Sequence, residues 1–180
     1  MKIIGLAGWS GAGKTTLLNK LIPHLIGVGV SVSTIKHAHH GFDVDIPGKD
    51  SWQHRQAGAT EVLVASGKRW ALMRELRGES EWSLPDLLDK LTPVDLVIVE
   101  GFKRSGHPKI EVHRAENGKP YLWPDDRDIL GIAGDAPTGS GAPPCVALDA
   151  IGAVADMMLA AALPIDTVRA RLAQRAKNPE

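Results

Sequence analysis

The sequence predicts an α/β fold, a mostly parallel sheet covered by helices with an added antiparallel hairpin, and three observations predict it. The first is Gly8-Trp9-Ser10-Gly11-Ala12-Gly13-Lys14-Thr15, which fits G-x-x-x-x-G-K-[ST]. Before it runs Ile3 to Ala7, an apolar stretch with the length and bounding of a buried parallel strand. After it, Leu17, Leu18, Leu21, Ile22, Leu25 and Ile26 recur at helical spacing. The second observation is Val30 to Lys36, where apolar and small polar residues alternate as in a strand. Strand, crossover helix and strand make a βαβ unit, whose default is a right-handed parallel arrangement. The third is Leu96-Val97-Ile98-Val99, an apolar run that reads as a central strand and leads into Glu100-Gly101.

Strand, glycine-rich loop and helix together mark a phosphate site, a P-loop of the NTPase type. Glycines let the backbone curl so that several N–H groups face one anion. The new helix adds its free N–H groups and the positive end of its dipole. The candidate nucleotide cradle is Gly8, Ser10, Gly11, Ala12, Gly13, Lys14, Thr15 and Thr16. Lys14 would reach the β- and γ-phosphates and take part in catalysis, and the Thr15 hydroxyl would ligate Mg²⁺. Glu100 is the expected metal-side carboxylate, at the end of a neighbouring strand, with Gly101 turning the chain away. Asp95 competes for that role but begins the same strand, roughly 16 Å from its other end.

The remaining elements follow in order. Pro23 should bend the first helix or bring its end by Gly27-Val28-Gly29. Residues 37 to 50 are polar and close with Pro47-Gly48, a long loop at the ligand-binding edge of an open α/β sheet. Asp50 is placed to cap a short helix over Ser51 to Ala57. Glu61 to Ala65 and Arg69 to Leu76 read as strands around a Gly67-Lys68 turn, the second with one exposed face. Ser83-Leu84-Pro85-Asp86 is a capping box opening a helix that carries Leu87, Leu88 and Leu91. Lys109 to His113 and Tyr121 to Trp123, around Asn117-Gly118, read as a hairpin. Ile129 to Ala133 is a strand, Pro137 to Pro144 a loop, and Cys145 to Leu148 a last strand. Two helices close the chain, one behind the cap Asp149 and one from Pro164, with a frayed tail over 176–180. Residues 1–175 are expected to form one nucleotide-binding domain.

Composition narrows the class. Across 180 residues, 21 Lys and Arg balance 21 Asp and Glu, so no basic excess points to nucleic acid. The single cysteine, Cys145, excludes an internal disulfide and sits in an apolar run as an inert thiol. No apolar stretch is long enough to cross a bilayer, and the first residues do not read as a signal peptide, so a cytoplasmic protein is expected.

Other residues carry chemistry by position. His37, His39 and His40, with Asp43 and Asp45, have the ligand types of a transition-metal site, but one loop without a distant ligand pair is a thin basis. A loop folding over the nucleotide or a second substrate explains them as well. In that reading Asp43, Asp45 and Asp50 are candidates for holding the attacking water or a Mg²⁺-bound water. Asp135 ends the Ile129–Ala133 strand, and a carboxylate accepts from the paired N1–H and N2–H₂ donors of guanine, which adenine lacks. It is the one candidate reader of the base, against a turn cap.

Several of these stretches, taken together, resemble the MobB family, the molybdopterin-guanine dinucleotide biosynthesis adaptor proteins. They are Gly8 to Thr16, Ile35-Lys36-His37-Ala38-His39-His40, Phe42-Asp43-Val44-Asp45, Pro47-Gly48-Lys49-Asp50-Ser51 and Val99-Glu100-Gly101-Phe102-Lys103. The resemblance spans the first two thirds of the chain. It implies a GTP-binding P-loop protein, weak as a GTPase, using Mg²⁺. It also implies a homodimer that works with the guanylyltransferase finishing the molybdenum cofactor, with molybdopterin as a further candidate ligand. Two other readings stay open: a P-loop kinase for a small hydroxyl compound, with Arg74 and Arg77 as candidates for its lid, and an ATP-driven transport or partition protein.

Overall fold

The computed structural model describes residues 1–38, 41–137 and 140–177. It divides into two compact units, one of Met1–His37 with the chain from Leu84 onward, and one of Ala38–Ser83.

The first unit is built on strand β1 (Lys2–Ala7), which runs through the glycine-rich loop into helix α1 (Lys14–Gly27). Strand β2 (Val32–Lys36) follows, two residues shorter at its start than the alternation predicted. After the second unit come helix α3 (Leu84–Leu88) and strands β5 (Leu96–Glu100), β6 (Lys109–His113), β7 (Ile129–Gly134) and β8 (Cys145–Val146). Helix α4 (Ile151–Ala161), strand β9 (Leu163–Pro164) and helix α5 (Ile165–Lys177) end it. Helix α5 runs through Lys177, and residues 178–180 lie outside the described ones.

The strands form one sheet in the order β2-β5-β1-β6-β7-β8, parallel throughout. β6 pairs with β1 only over Gly5–Ala7, so the antiparallel β9 takes the free flank at Lys2 and Ile3. Successive side chains of a strand point to opposite faces, and here both faces are covered. Ile4, Leu6, Leu96 and Ile98 pack under α1 and α4. Ile3, Val97 and Val99 pack under α3 and α5 with Leu84, Leu88 and Val168. That double burial explains why β5 is a continuous apolar run.

β6 corrects the sequence reading. Lys109-Ile110-Glu111-Val112-His113 alternates like an exposed hairpin arm, yet all five residues are buried in the middle of the parallel sheet. Residues 121–123 are not its partner strand; Ala115–Asn117 and Trp123–Asp125 are single 3₁₀ turns. The polar residues of β6 are buried because each finds its own partner. Lys109 Nζ ion-pairs with Asp126 at 3.0 Å and Asp128 at 3.8 Å. Glu111 accepts from the N–H groups of Leu122 (2.7 Å) and Trp123 (3.0 Å). A His113 ring nitrogen is 3.0 Å from Lys119 O, and the ring stacks on Tyr121. Ile110 and Val112 face the apolar core on the other side.

Two caps also differ from expectation. Lys49, not Asp50, is the N-cap residue of helix α2 (Asp50–Gln56), and Asp50 lies in the first turn, where its charge complements the dipole. Ala150, not Asp149, precedes α4. Asp95 accepts from the N–H and hydroxyl of Ser31 at 2.9 and 2.5 Å, so it fastens β5 to β2 at the end away from the loop.

The second unit holds α2 and an antiparallel hairpin of strands β3 (Glu61–Ala65) and β4 (Trp70–Arg74). The fold therefore does carry a small antiparallel hairpin, but it is formed by the two strands expected around Gly67-Lys68 and not by residues 109–123, where the sequence reading placed it.

His107 is fully buried against Gly5, and burial, followed by the charge of Lys109, lowers its pKa from 6.5 to about 3. The unfolded chain therefore takes up a proton below about pH 6.5 that the folded chain refuses until about pH 3. This group's contribution is complete above the upper value and is lost as pH falls. Between pH 7 and 5 it should cost about 2 kcal/mol. Urea unfolding at the two pH values should show that loss, and His107→Gln should be less pH-sensitive by about that amount.

Candidate functional site

The carboxyl edge of the sheet carries the candidate site. β1 ends at Ala7 and Gly8 turns the chain with φ +146°. A Cβ there would stand 2.5 Å from the Val112 carbonyl oxygen, so only glycine lets the loop leave β1 this close to β6. The loop curls over Gly11 and Gly13 into α1, with Lys14 the first helical residue. Lys14 Nζ donates to the carbonyls of Gly8 (2.9 Å) and Trp9 (3.0 Å), which holds the ammonium inside the loop it belongs to. Burial lowers its pKa, Glu100 raises it, and Lys103 and Lys36 lower it further. Ser10, Thr15 and Thr16 are exposed at the same place, and Ala12 is buried beneath.

Glu100 ends β5, the strand beside β1, with Leu6 as its neighbour in register. Its carboxylate is 3.7 Å from Lys36 Nζ, at the end of β2 on its other side. Gly101 follows at φ +102°, where a Cβ would stand 2.6 Å from that of His37. His37 stacks on Phe102 at 4.5 Å. Lys103 Nζ lies 5.2 Å over the Trp9 ring, a cation–π contact that covers the loop.

On the other side of β1 an open cavity of about 380 Å³ is walled by α1 and by the ends of β6, β7 and β8. Gly13, Thr16 and Lys20 line it from the loop and helix, and Arg114, Asp135 and Asp149 from the strand ends. Asp135 is where the sequence put it, just past β7. Its Oδ2 accepts from Ala115 N at 2.6 Å, and its carbonyl accepts from the Tyr121 hydroxyl at 2.9 Å. Cys145 is half-buried rather than enclosed, and burial, then Asp135, raises its pKa.

The sequence reading passed over the turn after β6. Asn117 Nδ2 donates to Ser10 O at 3.0 Å, and Trp9 Nε1 donates to Pro120 O at 2.7 Å. This turn is a strap on the glycine-rich loop, hidden because 109–123 reads as a hairpin.

In the second unit, Arg55 gathers the acidic residues. Its guanidinium meets both oxygens of Asp43 at 2.8 Å, Asp45 Oδ2 at 3.2 Å and Glu75 Oε1 at 2.7 Å. Asp45 also accepts from Ser51 Oγ at 2.8 Å. The Arg55 bonds hold the Asp43 carboxyl below its usual range. Asp50 stands apart from this network as the first residue of α2. Arg74 pairs with Glu61 and Glu79, and Arg77 donates to the carbonyls of Arg55 and Ala59, so the two arginines considered for a kinase lid are bound within their own unit. Among the described residues no group of three or more His, Cys, Asp or Glu is arranged to hold a metal ion. His39 and His40 lie outside the described residues.

Arg55→Met should loosen the loop it gathers. Hydrogen exchange should rise across 43–50 while β1 and β5 keep their protection. Unchanged exchange there would mean that other contacts hold the loop.

Comparisons with known proteins agree with this geometry. The model of the MobB family, molybdopterin guanine dinucleotide synthesis protein B, matches residues 3–135. The molybdopterin-guanine dinucleotide biosynthesis adapter protein of Escherichia coli is 46% identical over 138 residues, 75% of this chain and 79% of that protein. The adapter protein of the same name from Haemophilus influenzae is 47% identical over 136 residues, 75% of each chain. A crystal structure of molybdopterin-guanine biosynthesis protein B superimposes with a TM-score of 0.69 at 28% identity, over 88% of this chain and 98% of that one. None of this supports a small-molecule kinase. The chain belongs to the MobB family.

Proposed function

We propose that this protein is a GTP-binding adaptor in the biosynthesis of molybdopterin guanine dinucleotide, a weak GTPase that serves a guanylyltransferase. The observation that carries the nucleotide reading is the layout of the carboxyl edge. The glycine-rich loop and Lys14 lie on the central strand, Glu100 on the strand to one side, and the Asp135 cavity on the other. The adaptor role rests on the family and on relatives that bear that name.

The donor set fits a nucleotide with its metal. The loop turns three glycines at positive φ into a helix N-terminus, which suits phosphate. The two carbonyls that hold Lys14 keep its charge in place, ready to turn toward β- and γ-phosphates. The Thr15 hydroxyl and Glu100 are an oxygen set of the kind Mg²⁺ takes. Bound there, Mg²⁺ would neutralise charge on the phosphates. Asp135 closes the base end. One of its oxygens is engaged by Ala115, so guanine selection would use the carboxylate in its anchored position. Asp43, Asp45 and Asp50 remain candidates for positioning water, with Arg55 setting where the first two stand.

A thermal shift tests the specific ligand. GTP with Mg²⁺ should raise the melting temperature more than ATP does. Lys14→Ala should lose most of that shift with an unchanged ligand-free melting temperature. Glu100→Gln should lose the part that requires Mg²⁺. GTP affinity unaffected by Lys14→Ala, or ATP binding as well as GTP, would sink the assignment.

The homodimer draws on the second unit. Leu63, Leu72 and Trp70 share one face of the hairpin through the Leu63–Leu72 and Ala65–Trp70 pairs, and are 61, 50 and 66% exposed. On the other face Val62 is 8% exposed and Val64 44%, so the Leu63–Leu72–Trp70 face is the more open of the two. An apolar face of this kind suits a second copy of the chain. Sedimentation at micromolar concentration should show a dimer, and Trp70→Lys with Leu72→Glu should give monomer. A monomeric wild type would refute it.

A further inference from the structure

We propose that Arg114 is a phosphate ligand of the bound nucleotide, the residue that meets the α-phosphate between the glycine-rich loop and the base. The inference rests on the nucleotide-binding reading above and adds to it a residue from an element outside the loop.

The placement comes from the order of strands. Glu100, the loop, Arg114 and Asp135 stand at the ends of β5, β1, β6 and β7, which are consecutive neighbours in the sheet. Three strand spacings separate the first from the last, about 14 Å. A nucleotide laid along that edge with its terminal phosphates at Lys14 and its base at Asp135 passes over β6 at its innermost phosphate. Arg114 is the first residue after β6.

The side chain lies where that path requires. A Cβ built on Gly13 would be 3.2 Å from Arg114 Nε and 3.5 Å from Nη2, so the guanidinium rests against the last loop residue before α1. It lines the same cavity as Thr16 and Asp135. Its backbone is held in place from three directions. Asp135 accepts from the next N–H, that of Ala115, and Asn117 ties the turn to Ser10, while Pro120 accepts from Trp9. The backbone that carries the arginine is thus set before the ligand arrives, which lowers the cost of placing the side chain.

Its charge is also uncommitted. Arg55, Arg74, Arg169 and Arg175 are each ion-paired with a carboxylate. Among the described residues no ion pair engages Arg114, although Glu116 and Asp135 line the same cavity. A planar guanidinium with free donors beside a phosphate loop is suited to forked recognition of phosphate oxygens. Lys20 is the competing cation of this cavity. It is about two turns along α1 from Gly13, which favours the arginine for the phosphate.

The test separates the phosphates. Arg114→Gln should weaken GTP, GDP and GMP by a similar factor, roughly 10- to 100-fold, because the α-phosphate is common to all three. Lys14→Ala should weaken GTP and GDP and spare GMP. In ³¹P spectra of bound GDP, Arg114→Gln should move the α-phosphorus resonance and leave the β resonance in place. Arg114→Lys should recover part of the affinity, and it keeps the test decisive if Arg114→Gln lowers the ligand-free melting temperature. Unchanged affinities, a loss confined to GTP, or a shift of the β resonance alone would overturn the assignment. A wild type that binds no guanine nucleotide overturns the nucleotide reading together with it, whereas normal wild-type binding with an indifferent Arg114→Gln overturns the arginine alone.

Discussion

The approach of Gly8 to the Val112 carbonyl is the constraint on which the ligand edge depends. β1 must pass its neighbour β6 closely enough that no side chain fits between them. The glycine-rich loop then emerges with β6 already beside it, and the turn after β6 can bind back onto Ser10 and Trp9. A looser crossing would separate the loop from Arg114 and Asp135 and leave an isolated phosphate nest. With the crossing tight, the loop, the arginine and the cavity belong to one surface.

That crossing is held by a strand of unusual composition. β6 buries Lys109, Glu111 and His113 on one face, each against a specific partner, and puts Ile110 and Val112 into the apolar core on the other. Burying a charge is costly unless it is paired, so this face imposes a register that apolar packing would not. Slipping β6 by one residue would drive Lys109 and Glu111 into the apolar core under α1 and α4. The 119–128 segment supplies the partners, and its Asp128 also ion-pairs with Arg175 of α5, so the C-terminal helix is tied to the segment that holds β6.

How much of this was legible depends on whether the signal was local. The loop, α1, β2, β5 and the β3–β4 hairpin each announce themselves within a dozen residues, by glycine spacing, apolar run or alternation. Glu100 and Asp135 were placed correctly at strand ends because an apolar run points to its own terminus. β6 was misread because alternation of charged and apolar residues ordinarily means one wet face, and the partners that keep this face dry lie beyond the strand, in residues 119–128. The Arg55 network and the Asn117 strap escaped for the same reason. Nothing near Arg55 in sequence reveals that Asp43 and Glu75 converge on it. Asp149 was assigned as a cap on residue type and Asp50 on a capping-box spacing to Gln53, and the backbone began those helices beside them instead.

The pairings of β1 have a consequence for how the protein is made. β1 leaves the ribosome before its partners: its neighbours in register start at Leu96 and Lys109, and its short third partner is Leu163–Pro164. An apolar strand with unpaired edges must therefore wait for more than half of the chain before either flank is covered. Pairing over such separations carries a large loop-closure cost and is slow. Until then the nascent chain keeps this apolar segment exposed, and a holding chaperone has a substrate there. The glycine-rich loop acquires its shape only after β5 and β6 have been made.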